Sequence, residues 1–329
     1  MSAGTYVALS GGIGGAKLSL GLAHLLGDRL TVIANTGDDF EHLGLHISPD
    51  VDTTLYTLAG VVNAETGWGR RDETWNFMQA IASFGGPGWF NLGDRDLATH
   101  VERTRRLRAG ESLTAITERL RECLGVAPRV LPMADEPVRT VLECDAGTLA
   151  FQEYFVRERC RPVVQALRYE GANVARVSPQ IRQALSSPGL AGIIICPSNP
   201  WLSIDPMLAV PGMREALRAS GAPIIAVTPI IGGQALKGPT AKIMIELGLV
   251  PGVAAIAQHY EGIIDAIVAD LADSSEPAAI PGGTVFVTNT VMRTFDDKAA
   301  LAAYCLNSCE RLAGKRSGVD RRIQVEHAR

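Results

Sequence analysis

The apolar positions of this chain fall in short saturated runs separated by longer stretches with helical spacing. Thr5–Leu9, Leu30–Ala34, Ala191–Cys196 (AGIIIC), Pro223–Val227 (PIIAV), Val253–Ala257 and Thr284–Thr288 (TVFVT) are such runs, and Gly or Pro bounds most of them. A run that is apolar at almost every position predicts a strand covered on both faces, as in a parallel sheet. Between and after the runs, apolar residues recur at i, i+3 and i+4. That spacing predicts helices near 17–26, 53–62, 72–83, 94–108, 112–123, 178–186, 211–219, 239–247 and 297–312. Strands alternating with helices give an α/β fold, a Rossmann-like doubly wound and mostly parallel sheet.

Two stretches break the alternation. Residues 70–125 read as consecutive helices without a strand, and 128–168 read as extended segments (RVLPM, VRTVLEC, PVVQALRY). Together they predict an inserted helical and extended cap. The chain then divides into a first core part (1–69), the insertion (70–170), a second core part (171–313) and a charged, mobile tail (314–329).

Composition narrows the function classes. Of 329 residues, 47% are hydrophobic and 20% charged, ordinary for a soluble protein with a sizeable core. The net charge of −4 makes bulk attraction to nucleic acid an unsuitable explanation, so any cationic surface must be local. The apolar stretches are about ten residues at most, too short to span a bilayer. The start of the chain has no basic segment followed by an apolar run, which predicts a cytoplasmic protein without a membrane partner. Six cysteines without a C-x-x-C pair read as free, buried thiols.

The candidate chemistry lies where strands hand over to helices. Ser10-Gly-Gly-Ile-Gly-Gly-Ala-Lys17 follows the first strand. Backbone amides and the helix dipole at such a junction favour an anion, although the same glycines serve a tight turn. The spacing is neither that of a Walker A loop nor G-x-G-x-x-G. Asn35-Thr-Gly-Asp-Asp39 follows the second strand, and Ser48-Pro-Asp-Val-Asp-Thr53 comes soon after. Four crowded carboxylates (Asp38, Asp39, Asp50, Asp52) repel unless they share a proton or a divalent cation, and hard oxygen ligands suit Mg²⁺. At least one of them is expected to serve only as a helix cap.

Three further motifs complete the set. Trp68-Gly-Arg-Arg-Asp-Glu73 and Leu92-Gly-Asp-Arg-Asp-Leu-Ala-Thr-His100 offer arginines for phosphate or carboxylate, or for surface pairs, and His100 alone reads as structural. Cys196-Pro-Ser-Asn-Pro200 and Pro229-Ile-Ile-Gly-Gly-Gln-Ala-Leu-Lys-Gly-Pro239 each follow a strand, and the second contains another glycine loop. Two anion-ready loops on one sheet edge fit a diphosphate. A G-x-S-x-G elbow, H-E-x-x-H and Cys/His metal spacing are all missing from the sequence, which removes support for hydrolase and zinc chemistry.

In this order, LSGGIGGAK, VIANTGDD, ISPDVDT, WGRRDET, LGDRDLATH, CPSNP and PIIGGQALKGPT resemble the 2-phospho-L-lactate transferase family of coenzyme F-420 biosynthesis, up to about residue 312. The resemblance implies a dimeric enzyme. It would join a phosphorylated three-carbon acid to a hydroxyl of the deazaflavin Fo (7,8-didemethyl-8-hydroxy-5-deazariboflavin), using Mg²⁺. The donor would be a lactyl-, enolpyruvyl- or phosphoglyceryl-diphosphoguanosine, and GMP would be released.

By that resemblance Asp52, Thr53, Asn91, Asp94 and Arg95 would meet the deazaflavin, with Asn91 standing where some relatives carry a basic residue. Asp38, Asp39 and Asp52 would hold Mg²⁺ and the reacting hydroxyl. Gly11, Gly12, Gly14, Gly15, Lys17, Ser198, Asn199, Gly232, Gly233 and Lys237 would form the nucleotide and phosphate side. The alternative is a nucleotide-sugar-binding regulatory protein of the gluconeogenesis-factor type. Such proteins share the glycine-loop start but not WGRRDET or GDRDLATH.

Overall fold

In the computed structural model, which describes residues 4–275 and 283–326, the saturated runs do become parallel strands. They are β1 (Thr5–Ser10), β2 (Leu30–Ala34), β3 (Arg129–Pro132), β4 (Leu190–Ile195), β5 (Ile224–Val227), β6 (Ala266–Asp270) and β7 (Thr284–Thr288). These seven form one sheet in the order β7-β6-β5-β4-β1-β2-β3, with every neighbouring pair parallel.

The helices are α1 (Gly12–Leu26), α2 (Pro49–Leu58), α3 (Asn76–Ser83), α4 (Asp94–Arg108), α5 (Leu113–Cys123) and α6 (Pro179–Leu185). After them come α7 (Asp205–Leu208), α8 (Met213–Ala219), α9 (Thr240–Glu246), α10 (Val253–His259) and α11 (Phe295–Glu326).

Successive strand residues point to opposite faces, and both faces are covered. One buries Ala8, Val32, Ile194, Ile225 and Val268 under α1, α2 and α11. The other buries Leu9, Ile33, Ile195, Ala226 and Ile267 under Ile181, Met213, Ile243 and Ile256 of α6, α8, α9 and α10. From β1 the sheet grows one way through β2 and β3, then the other way through β4 to β7. The β1/β4 boundary is therefore the topological switch point, where loops at the strands' carboxyl ends diverge and leave a crevice.

Several expectations fail. Val253–Ala257 is the start of α10, not a strand: Val253, Ile256 and Ala257 are buried at i, i+3 and i+4, a helical stripe. The sixth strand is Ala266–Asp270, a saturated run that the sequence reading passed over. The expected insertion is also not wholly outside the core, because Arg129–Pro132 joins the central sheet as edge strand β3. Its other extended segments form a separate antiparallel sheet, with Arg139–Cys144 between Gly147–Ala150 and Val164–Glu170. Residues 314–326 of the expected tail are helical and continue α11.

The six cysteines are free, but Cys123 is exposed and Cys160 half-buried, so only four are buried as expected. Among the described residues no helix is long and apolar enough to cross a membrane.

Helix α1 lies against α11 through Gly21, where an added Cβ would run into the Lys298 carbonyl. Backbone cannot retreat as a side-chain tip can. Gly21→Ala should therefore lower stability by about 1–3 kcal/mol. Gly88→Ala, at an exposed glycine with open space around it, should leave the melting temperature almost unchanged. Thermal melts of the two variants check the contrast.

Candidate active site

The loops after β1 and β4 are stitched together at the switch point. The Gly11 amide donates to Ser198 Oγ at 3.0 Å, and that hydroxyl donates to the Gly11 carbonyl at 2.7 Å. Such closeness needs glycine: a Cβ at Gly11 would enter Ser203, and one at Gly14 would meet the Pro197 carbonyl. In front of this seam opens a cavity of about 950 Å³. The wall is shared by loops from the sheet edge, the 290–293 segment and the cap. The described π-helical turns, Glu153–Arg157 and Pro200–Ile204, both border it, in keeping with the frequent siting of such turns at functional places.

Asn35, at the end of β2, organises the acidic wall. Its Nδ2 donates to Asp38 Oδ1 at 2.9 Å and Asp50 Oδ2 at 3.0 Å, and lies 3.3 Å from the Leu202 carbonyl. Asp50 Oδ1 accepts from the Gly12 amide at 2.8 Å. The α2 helix begins at Pro49, earlier than the periodicity predicts, so Asp50 and Asp52 sit in its first turn. Neither caps its own helix, contrary to expectation, since Asp50 reaches across to the glycine loop.

Burial, with Asp50 close by, pushes the Asp38 carboxyl well above its usual range despite the Asn35 bond. Burial raises Asp50 from 3.8 to about 6, against the opposing bonds from Asn35 and Gly12. Asp38 and Asp50 thus share too little positive partner, an imbalance that either a proton or a divalent cation would relieve. Asp39 is turned away from the cavity. Its Oδ2 accepts from Ser48 Oγ at 2.8 Å and lies 3.0 Å from His46 Nε2.

Asp52 is engaged otherwise. Arg103, fully buried, grips both its oxygens. Burial still raises the Asp52 carboxyl above its usual value, with Arg103 and His100 opposing. His100 stands between Asp52 and Asp96, and the Tyr56 hydroxyl donates to Asp96 Oδ1 at 2.6 Å. Burial would raise Asp96, but His100, Tyr56 and Arg103 together hold it below the usual carboxylate range. Asp96, His100 and Arg103 follow at i, i+4 and i+7 on α4, one face of a helix. That spacing was readable in the sequence, although His100 alone reads as structural.

Asp94 and Arg95 lie outside the cavity wall. Asp94 accepts from the Asn76 and Phe77 amides at 3.1 and 3.0 Å, capping α3. Glu73 in return accepts from the Arg95 and Asp96 amides at 2.7 and 2.8 Å, capping α4. These reciprocal caps hold α4, and with it Asp96 and His100, in place. The Arg95 side chain is over half exposed. Thr53 and Asn91 do border the cavity.

Lys17, Lys237 and Arg293 also border the cavity. Burial, then the nearby charges of Lys237 and Lys298, lower the Lys17 ammonium. Gly11 and Gly12 amides are already taken by Ser198 and Asp50. Gly12 is left-handed (φ 63°), so the next amides, those of Ile13, Gly14 and Gly15, open the helix without an acceptor outside it among the described residues. The Cα of Gly15 is packed against Ser10 and Ser198 rather than facing the cavity.

The second glycine pair is a correction. Gly232 and Gly233, at φ 56° and 71°, are the turn between strands Ile230–Ile231 and Gln234–Ala235, and neither borders the cavity. The Gly232 amide is held by Asp273 Oδ1 at 2.7 Å. Of that loop's expected residues, Lys237 alone reaches the cavity. Asn199 caps the following turn through Oδ1, at 3.0 and 3.1 Å from the Trp201 and Leu202 amides, and its buried Nδ2 lacks a partner.

Sequence reasoning missed the aromatic part of the wall, formed by Trp68, Trp89, Phe90, Phe151 and Phe155. Phe151 and Phe155 stack at 5.4 Å, and Trp89 meets Phe90 at 5.8 Å. These residues come from three separate segments and carry no joint spacing signal.

The raised Asp50 carboxyl has a consequence for stability. A group whose folded value lies above its unfolded one stabilises the fold below the unfolded value, and that contribution is lost as pH rises through the folded one. For Asp50 the window runs from 3.8 to about 6. The full difference amounts to about 3 kcal/mol. In the metal-free protein, stability should fall across this window and Asp50→Asn should flatten the fall. Denaturant unfolding from pH 4 to 8 measures it, and parallel curves for the two proteins would contradict the assignment.

The profile of 2-phospho-L-lactate transferase CofD matches residues 6–281. The phosphoenolpyruvate transferase of Streptomyces griseus is 41% identical over 313 residues, covering 92% of this chain and 98% of that protein. The one from Kitasatospora aureofaciens is 43% identical over 282 residues, covering 83% and 87%. The phosphoenolpyruvate transferase of Mycolicibacterium smegmatis is 38% identical over 269 residues, covering 77% and 82%. Among solved structures, a UPF0052 family protein from Bacillus halodurans superposes with a TM-score of 0.62 at 16% identity, covering 93% of this chain and 99% of that one, a likeness of fold. Profile and relatives agree over most of the chain: it belongs to the 2-phospho-L-lactate transferase CofD family, and is a transferase.

Proposed function

We propose that this transferase moves a phosphorylated three-carbon acid from a guanosine diphosphate-linked donor to a hydroxyl of the deazaflavin Fo, releasing GMP, in coenzyme F-420 biosynthesis. The names of the relatives favour phosphoenolpyruvate as the acid. The observation that carries the reading is one cavity at the switch point bordered by cationic, acidic and aromatic side chains together.

Each set of side chains suits one part of the reaction. Lys17, Lys237, Arg293 and the amides that open α1 suit a diphosphate. Ser198 and Asn199 border the cavity on the β4 side, where the nucleoside would lie, and their side chains shape that loop through the Gly11, Trp201 and Leu202 backbone. The aromatic side chains suit a flat, largely apolar tricycle. Between them Asp38 and Asp50 would hold Mg²⁺, with Asp39 and Asp52 engaged by Ser48 and Arg103 instead. Mg²⁺ so held would neutralise charge on the diphosphate and its leaving group.

The residues then supply alignment more than covalent chemistry. The cationic residues orient the donor so that the phosphorus bearing the acid faces Asp38 and Asp50. The aromatic side chains bring the deazaflavin's hydroxyl chain to the same place. The hydroxyl oxygen attacks that phosphorus and GMP leaves.

Purified protein, Fo and Mg²⁺ should form GMP and the acid-bearing deazaflavin in equal amounts with the enolpyruvyl donor. Mass spectrometry with each of the three donors decides the acid. No GMP with any donor would contradict the reading, and tight binding of a nucleotide-sugar in its place would favour a regulatory protein.

A further inference from the structure

Two of the loops that bring cations to the cavity are fastened to one turn. Strand β6 ends at Asp270, and a single helical turn, Leu271–Asp273, follows it. Both aspartates of this Asp-Leu-Ala-Asp stretch are buried, and neither borders the cavity. A buried carboxylate is costly unless hydrogen bonds compensate it. Here each finds its donors on a different loop.

Asp270 holds the 290–293 segment. Its Oδ2 accepts from the Thr290 amide at 2.7 Å and from the Thr290 hydroxyl at 2.9 Å, while Oδ1 accepts from the Ala272 amide at 3.0 Å. Burial would raise this carboxyl, but those bonds keep it below its usual range. Beyond Thr290 the segment brings Arg293 to the cavity border, and its Met292 carbonyl accepts from Lys17 Nζ at 3.1 Å. Asp297 fixes the far end, accepting from the Arg293 and Thr294 amides at 2.9 and 2.8 Å.

Asp273 holds the hairpin. Its Oδ1 accepts from the Gly232 amide at 2.7 Å, at the turn between Ile230–Ile231 and Gln234–Ala235. The second of these strands leads directly into Leu236 and Lys237, both on the cavity border. Residues 232–238 are exposed or half-buried, with Leu236 63% exposed, so packing does little to place them. The hydrogen bond to Asp273 does.

We propose that Asp270 and Asp273 are positioning residues for the donor, fastening from one turn the two loops that carry Arg293 and Lys237 so that both cations meet the same diphosphate. The inference rests on the transfer proposed above. Charge and position predict opposite signs for these residues. An acid near an anion site repels the anion, so by charge alone its neutralisation tightens binding. Releasing a loop that places a cation weakens it. Asn fills the space of Asp but offers one acceptor oxygen in place of two, so Asp270→Asn leaves a donor without a partner.

The test is calorimetric titration of GDP, at constant Mg²⁺, into the wild type, Asp270→Asn, Asp273→Asn, Arg293→Ala, Lys237→Ala and the aspartate–cation double variants. Deazaflavin binding is measured alongside. Each aspartate variant should weaken GDP binding by about fivefold or more and leave deazaflavin affinity within about twofold. The losses should also be specific to a loop. On an Arg293→Ala background Asp270→Asn should cost about twofold at most, and on a Lys237→Ala background its full factor. Asp273→Asn should show the reverse pattern.

Tighter or unchanged GDP binding in the aspartate variants, or equal losses on both backgrounds, overturns the role. Should one aspartate variant not fold, as judged by its melt, the other loop decides by the same comparison. Should neither fold, Thr290→Val decides, since it removes one bond to Asp270, and a loss that Arg293→Ala does not diminish overturns the role. A wild type that binds no GDP overturns the proposed function and this role with it, whereas GDP binding with losses independent of the loop overturns this role alone.

Discussion

Two buried carboxylates sharing one amide donor set the terms for this molecule. Asp38 and Asp50 converge on Asn35 Nδ2, and that amide also approaches the Leu202 carbonyl, while the Asn35 side-chain oxygen accepts from the Gly37 amide at 2.8 Å. The Asn35 backbone is in turn tied to β1, its amide donating to the Ser10 carbonyl at 3.0 Å. One residue therefore joins the loops after β1, β2 and β4 and the first turn of α2. Burying acids with so little compensation is unfavourable, and it leaves a place where a cation or a proton binds with a large gain. A fold selected for stability alone would have put apolar side chains there.

The fold surrounding this place explains how such an arrangement is tolerated. The sheet is covered on both faces, so the core is complete without the crevice. The crevice itself arises from topology, because strands leave β1 in both directions and their loops must part. Glycines at 11 and 14 allow the β1 and β4 loops to close up behind it. Reciprocal caps between Glu73 and Asp94 anchor α4 to the cap region, which keeps the His100 cluster against the same wall.

Much of this was legible in the sequence. Saturated runs identified most of the central strands, and the carboxylates of NTGDD and SPDVDT do gather where a ligand would be expected. What could not be read was direction. Asp38 and Asp39 are neighbours, yet one faces the cavity and the other faces Ser48 and His46. The two glycine pairs look alike as text, but Gly232 and Gly233 are hairpin turn residues with positive φ and Gly12 begins a helix. Val253–Ala257 is short enough to satisfy a strand and a helix equally, and packing decided it. The aromatic wall depends on segments far apart in the chain, so local pattern carries no trace of it. Asp96, His100 and Arg103 did carry a trace, in their shared helical face.

The central claim is that a diphosphate and a divalent cation meet in one cavity, held by its cationic residues and the Asp38–Asp50 pair. Calorimetric titration of GDP, a stable stand-in for the donor, tests it most directly when run with and without Mg²⁺ on the wild type and Asp38→Asn. Mg²⁺ should tighten GDP binding to the wild type by about tenfold or more, a gain of at least about 1.4 kcal/mol. In Asp38→Asn that gain should disappear while metal-free binding stays the same or strengthens, since a repelling carboxylate has been removed. Equal tightening by Mg²⁺ in both proteins would contradict the account.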